Sequence, residues 1–179
     1  MNQNEIKIAL QKSKTNFISC IKSLNEEAFR YKSSVEKWNA AEQLYHLITS
    51  AKSSTLPYNL PVIVIQFLFS KVSRKAYSIE ELEQLYKSKL NTGAKATGKY
   101  AAVEKVKYTD KESLLIQFEK AYDTFIQSVE KCSEKKLDTC RVPHPILGKI
   151  SLRELAYFTI FHTKHHLESI QKMNQDNQQ

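Results

Sequence analysis

Five histidines carry most of the chemical potential of this sequence: His46, His144, His162, His165 and His166. On a helix, at about 100° per residue, His162 and His166 fall some 40° apart. They share a stripe with Leu155, Phe158, Thr159, Ile170 and Met173, so both point inward. Two imidazoles four residues apart on one helical face can chelate a divalent ion. The same spacing also fits two buried histidines satisfied by hydrogen bonds to neighbours. His165 points about 60° from His162, on the side away from His166, the place of a flanking group. His46 reads differently. The helical wheel sets it roughly 150° from the apolar centre of its helix, beside Glu42, Thr49 and Ser53, as a surface histidine would be. His144 lies in a turn, where it either reaches a pocket mouth or stabilises the turn.

Other chemistries find little footing. Cys20, Cys132 and Cys140 are an odd number of thiols with no CxxC pair, and read as reduced cytosolic residues. Cys132 and Cys140 have no neighbouring histidine to activate them. There is no GxSxG, P-loop or dinucleotide fingerprint. Of the net charge of +8, the stretch from Lys87 to Lys107 supplies +5, from six lysines and Glu104. That is a solvated, lysine-rich segment without the arginines or interleaved aromatics of a nucleic-acid site, so no specific nucleic-acid partner is expected. The N-terminus lacks a secretory signal pattern, and the apolar run from Leu60 to Phe69 is too short to span a bilayer. A cytoplasmic protein without a membrane partner is expected.

The elements that must position these groups are helical. Apolar residues at helical spacing (Ile6, Leu10, Phe17, Ile21, Leu24, Ala28) predict one long helix over residues 4–31. Trp38, read as a core anchor, and Asn39, a plausible N-cap, precede a second helix from Ala40 to about Ser53, and Pro57 and Pro61 bracket a turn. The run PVIVIQFLFS reads as a buried helix, and Ser78 with Glu81 forms a capping box for a short helix through Lys89. Asn91 to Thr109 reads as a long, flexible, Lys-rich loop. Asp110 opens a helix carrying Leu115, Phe118, Tyr122, Phe125 and Val129. Cys140 to Lys149 reads as a rigid turn, and a second capping box, Ser151 with Glu154, opens a last helix to about Met173. The result is a single all-α domain over residues 1–179, an antiparallel four-helix bundle with extra short helices, one long Lys-rich loop and a frayed tail at 174–179.

Two segments add a resemblance. WNAAEQLYHLITSAK (Trp38 to Lys52) resembles the W-[ST]-x-x-E-x-L-x-H-L motif of the DinB/YfiT-like family, with Asn39 in place of Ser or Thr. HPILGKISLRELAYFTIFHTKHHLESI (His144 to Ile170) is similar to that family's second half, a turn followed by a helix ending H-x-x-x-H. The resemblance implies a four-helix bundle whose divalent metal is held by His46, His162 and His166. Glu42 and Thr49 would then stand beside the ion, with His144 and His165 near the pocket. Three neutral imidazoles leave open positions on the ion, as in a catalytic site, and suit Zn²⁺ or Ni²⁺. Family members of known activity include metal-dependent thiol S-transferases, and others are described as metal hydrolases. The resemblance therefore implies an enzyme in which the metal activates a thiol or water for attack on a small electrophile, with no protein nucleophile. The alternative is a non-catalytic helical bundle, used for binding or as a homodimer, with an empty or incidental histidine site.

Overall fold

The computed structural model of the chain describes residues 1–69, 74–101, 103–106 and 109–176. Its helices are α1 (Gln3–Ser23), α2 (Glu26–Arg30), α3 (Ala40–Asn59), α4 (Val62–Phe69), α5 (Ile79–Asn91), α6 (Lys111–Glu130), α7 (Glu134–Thr139) and α8 (Leu152–Asp176). A hairpin of β1 (Arg141–His144) and β2 (Gly148–Ser151) precedes α8. The cap residues that the sequence nominates set four of the helix starts. Asn39 and Ser78 form reciprocal boxes with Glu42 and Glu81, Asp110 accepts from the Ser113 amide, and Ser151 pairs with Glu154. Caps of this kind stabilise a helix by about 1 kcal/mol each.

Several expectations need correction. The helix predicted over 4–31 breaks after Ser23, because the Asn25 side chain accepts from the Ala28 amide at 2.8 Å and starts a new helix. Leu24 and Ala28 stay four apart across that break, so the apolar period does not register it. The second helix continues past Ser53 to Asn59, with Pro57 inside its last turns. A proline there forfeits one helical hydrogen bond, and the helix ends soon after, where the Leu60 amide donates to the Pro57 carbonyl at 3.4 Å. The polar segment after Cys132 is a short helix capped by Ser133, and the predicted rigid turn is a hairpin in register Arg141↔Ser151 to His144↔Gly148. Gly148 sits at φ +73°, the left-handed region that favours glycine. Asn174 to Asp176 continue α8 instead of fraying. Residues 177–179, Ser70 of the apolar run and Lys107 of the basic segment lie outside the described residues.

The four long helices α1, α3, α6 and α8 form the bundle, and α1 and α3 each pack on both α6 and α8. Their directions follow from side-chain partners. Gln3 meets the end of α6 and Lys111 the end of α1, so α1 and α6 are antiparallel. The Tyr58 hydroxyl donates to the Leu152 carbonyl while His166 meets Gln43, so α3 and α8 are antiparallel too. Asn59 reaches Ser128, so α3 runs alongside α6 in the same direction. The chain must therefore return the length of the bundle, about 30 Å for a 20-residue helix, between the end of α3 and the start of α6. The segment holding α4, α5 and the Lys-rich stretch is that crossover. It is not a bare loop: 3₁₀ turns at Gly98–Tyr100 and Val103–Val106 shape it, and Val103 and Val106 are buried. Among the described residues, no helix is long and apolar enough to cross a membrane.

Apolar residues fill the bundle in two blocks, one around the hairpin end and one around the Phe17, Leu44 and Phe118 end. On α8 the first block reaches Phe161 and the second begins at Ile170, so His162, Thr163 and His166 form a polar layer between them. At the hairpin end, the fully buried Glu154 accepts from both Arg74 nitrogens at 2.8 and 2.9 Å and from the amides of Tyr77 and Ser151. Burial alone would raise its pKa; Arg74 and the amides outweigh this and hold it below the usual carboxylate range. Glu154 thus ties the crossover, the hairpin and α8 together. Glu154→Ala should cost about 3 kcal/mol in urea denaturation, the low end for breaking a buried pair because Arg74 retains some water. A change under about 1 kcal/mol would show the cluster to be dispensable.

Candidate metal centre

His46 from α3 and His162 and His166 from α8 converge on one point in the polar layer. The Nε2 atom of His162 lies 3.1 Å from Nε2 of His46 and 3.1 Å from Nε2 of His166. All three residues are buried, and their ligand atoms lie within 4.8 Å of one another. Two outer hydrogen bonds fix how two of the rings carry their protons. The His46 Nδ1–H donates to the Tyr100 carbonyl at 2.9 Å, an oxygen that can only accept. The His166 Nδ1–H donates to Gln43 Oε1 at 2.8 Å, and Gln43 is held that way round because its amide NH₂ donates to the Trp38 carbonyl at 2.9 Å. A neutral imidazole has one proton, so Nε2 of His46 and of His166 each present a bare lone pair to the shared centre.

The ring of His162 can offer at most one proton to those two lone pairs. A divalent cation satisfies all three nitrogens at once. The 3.1 Å separations are close to the roughly 3.3 Å between two ligands held 2.0–2.1 Å from one tetrahedral ion. Protonation works against the cluster. Burial holds the pKa of His46 below the usual imidazole value, although the Tyr100 carbonyl opposes this. Burial, reinforced by the neighbouring imidazoles, pushes His162 and His166 well below it. Neutral imidazoles are the form that binds metal. These three buried histidines can hold a metal ion.

The wheel misplaces His46 because it knows only the helix. What covers that face of α3 is the crossover: Tyr100 holds the Nδ1 side, and the Trp38 ring lies 5.0 Å from the imidazole. Trp38 is half-buried and forms a wall of the site, not the core anchor expected. Glu42 is taken up by the Asn39 cap and by Lys32 at 2.7 Å, and neither it nor Thr49 lines the cavity above the triad. His144 and His165 do line it. His144 also performs the turn role, its Nδ1 accepting from the amides of Ile146 and Leu147, and burial pushes its pKa down to about 4. His165 is exposed, 5.3 Å ring to ring from His166. Gln43 and Tyr100 are absent from the sequence expectation. Gln43 is three residues before His46, one turn back and about 60° round the helix, and that neighbouring position is the one signal that could have raised it; a backbone acceptor such as Tyr100 leaves none.

A family model described as the DinB superfamily matches residues 9–170, a span containing all three converging histidines. The chain belongs to the DinB superfamily. Among solved structures, this DinB chain is similar to TT2238, a four-helix bundle protein, at 13% identity and a TM-score of 0.61, over 96% of this chain and 99% of that one. At that identity the likeness concerns the fold, the same arrangement of long helices that sets α3 against α8. No curated protein matches the chain.

Proposed function

We propose that this DinB protein is a metal-dependent enzyme in which His46, His162 and His166 hold Zn²⁺ or Ni²⁺ and a thiol or water attacks a small electrophile, in the manner of a thiol S-transferase. The observation that carries the reading is the convergence of three neutral Nε2 atoms, two with their protons committed elsewhere, on the floor of a cavity of about 1040 Å³. A borderline nitrogen set favours these ions over Mg²⁺ or Ca²⁺, and such an ion with open positions lowers the pKa of a bound thiol or water toward neutrality. The chain contributes orientation and dryness. Tyr100 and Gln43 fix the rings and make the Nε2 atoms better donors, while Phe158 stacks on His162 at 4.6 Å. The protein's own thiols are poor nucleophiles, since burial raises the pKa of Cys20, Cys132 and Cys140.

Metal analysis of untagged protein purified without chelator tests the first step, and near-stoichiometric Zn²⁺ or Ni²⁺ is the expected result. Loaded protein is then screened with several small thiols against a chromogenic aryl halide and an epoxide. Ester hydrolysis without thiol selects the water variant. No turnover with any of these, despite a filled site, leaves a binding protein as the better reading. Gln43→Ala should weaken metal binding about 10–100-fold, the usual loss for an outer partner of a ligating histidine, measured by competition with a chromophoric chelator. Unchanged affinity would remove Gln43 from the site.

A further inference from the structure

The cavity is much larger than the triad and a small thiol require, and its walls differ from end to end. It follows the face of α3 that carries His46, Ser50, Ser53 and Pro57, a distance of about 16 Å at 1.5 Å per residue. Because α8 runs antiparallel, its first turns line the far end, and apart from His144 the residues that set the walls there are apolar: Leu56, Phe69, Ile146, Leu155 and Phe158. The triad end is basic. Lys37 precedes Trp38, which flanks His46, and Lys99 precedes Tyr100, which holds His46; both lysines line the cavity, as does Lys95. Among the described residues none of these three lysines enters an ion pair, and Lys99 rests 5.2 Å over the Tyr100 ring. Among the described residues that line the cavity, Glu36 is the one acid.

We infer that the electrophile is an amphipathic anion: a carboxylate beside Lys37 and Lys99 at the triad end, next to it a carbon bearing the group that leaves when the thiol or water attacks (a halide or an epoxide oxygen), and a chain of about twelve carbons lying along the apolar trough toward Phe69 and Ile146. An extended chain advances about 1.2 Å per bond, so a 16 Å trough takes about thirteen bonds, roughly a twelve-carbon chain together with its carboxylate head. Desolvating the chain supplies affinity, and the unpaired lysines supply the polarity of binding, head toward the histidines. The inference rests on the proposed reaction for its role, but the binding it describes needs no metal.

Calorimetric titration of chelator-stripped wild-type protein with a homologous series of straight-chain carboxylates, from hexanoate to tetradecanoate, tests it. Metal content is measured separately, so failure here leaves the metal reading standing and failure of metal uptake leaves this one standing. Affinity should rise about threefold to fourfold per added CH₂ up to ten or twelve carbons and then level off. Decanol should bind at least tenfold more weakly than decanoate. The double variant Lys37→Gln, Lys99→Gln should lose that preference while keeping its affinity for decanol. Chain-length independence, or equal binding of decanol and decanoate by wild-type protein, overturns the inference.

Discussion

His162→Ala will abolish stoichiometric Zn²⁺ or Ni²⁺ uptake, and turnover with it, while the bundle stays folded. Of the three histidines, His162 is the one whose Nε2 stands 3.1 Å from both others. Without it, the Nε2 atoms of His46 and His166 retain their lone pairs but lose the third nitrogen, and two imidazoles do not make the site. The loss of affinity should exceed the 10–100-fold expected for an outer partner such as Gln43. Stability should change little by comparison. His162 lies between the two apolar blocks beside an existing cavity, so its removal opens little new void and costs about 1–3 kcal/mol. A bundle of this size has roughly 5–15 kcal/mol to draw on. Metal content after dialysis, read beside far-UV circular dichroism, separates the two effects. Full metal uptake by folded His162→Ala protein would sink the three-histidine site; His46→Ala and His166→Ala should behave alike.

How much of this was legible without coordinates varied with the physics of each feature. Capping boxes and apolar periods are local, so the starts of α3, α5, α6 and α8 follow from the residues at those positions. The inward pair His162 and His166 follows from a single helix for the same reason. His46 does not, because its burial is produced by a segment 54 residues away that crosses over α3, and only the family resemblance selected it. The parallel course of α3 and α6 is likewise a property of the whole chain. It explains why the connection is long, and why that connection touches the site. Charge counting reads the Lys-rich stretch as merely solvated because it carries no position: Lys95 and Lys99 line the cavity, and Lys99 adjoins the Tyr100 carbonyl that orients His46.

Acidification should expose the cost of burying these imidazoles. In the unfolded chain a histidine titrates near pH 6.5. In the folded chain burial lowers the pKa of His46, takes His162 and His166 well down, and brings His144 to about 4. Below pH 6.5 the unfolded state therefore binds more protons than the folded one, and stability falls as pH falls. Above pH 6.5 both states are neutral and the contribution is complete. Each group adds up to about 1.4 kcal/mol per pH unit between its two pKa values. Urea midpoints of metal-free protein should hold steady from pH 8 to 7 and drop progressively from 6.5 to 5. His166→Gln, which removes one titrating group and keeps a polar partner for Gln43, should give a shallower drop. Metal affinity should follow a different course. Because the folded imidazoles stay neutral to lower pH than free ones, uptake should persist through pH 6, where an exposed histidine site would already be losing metal to protons. A stability profile flat from pH 7 to 5 would mean that the triad accepts protons without penalty, and that its burial does not set its charge.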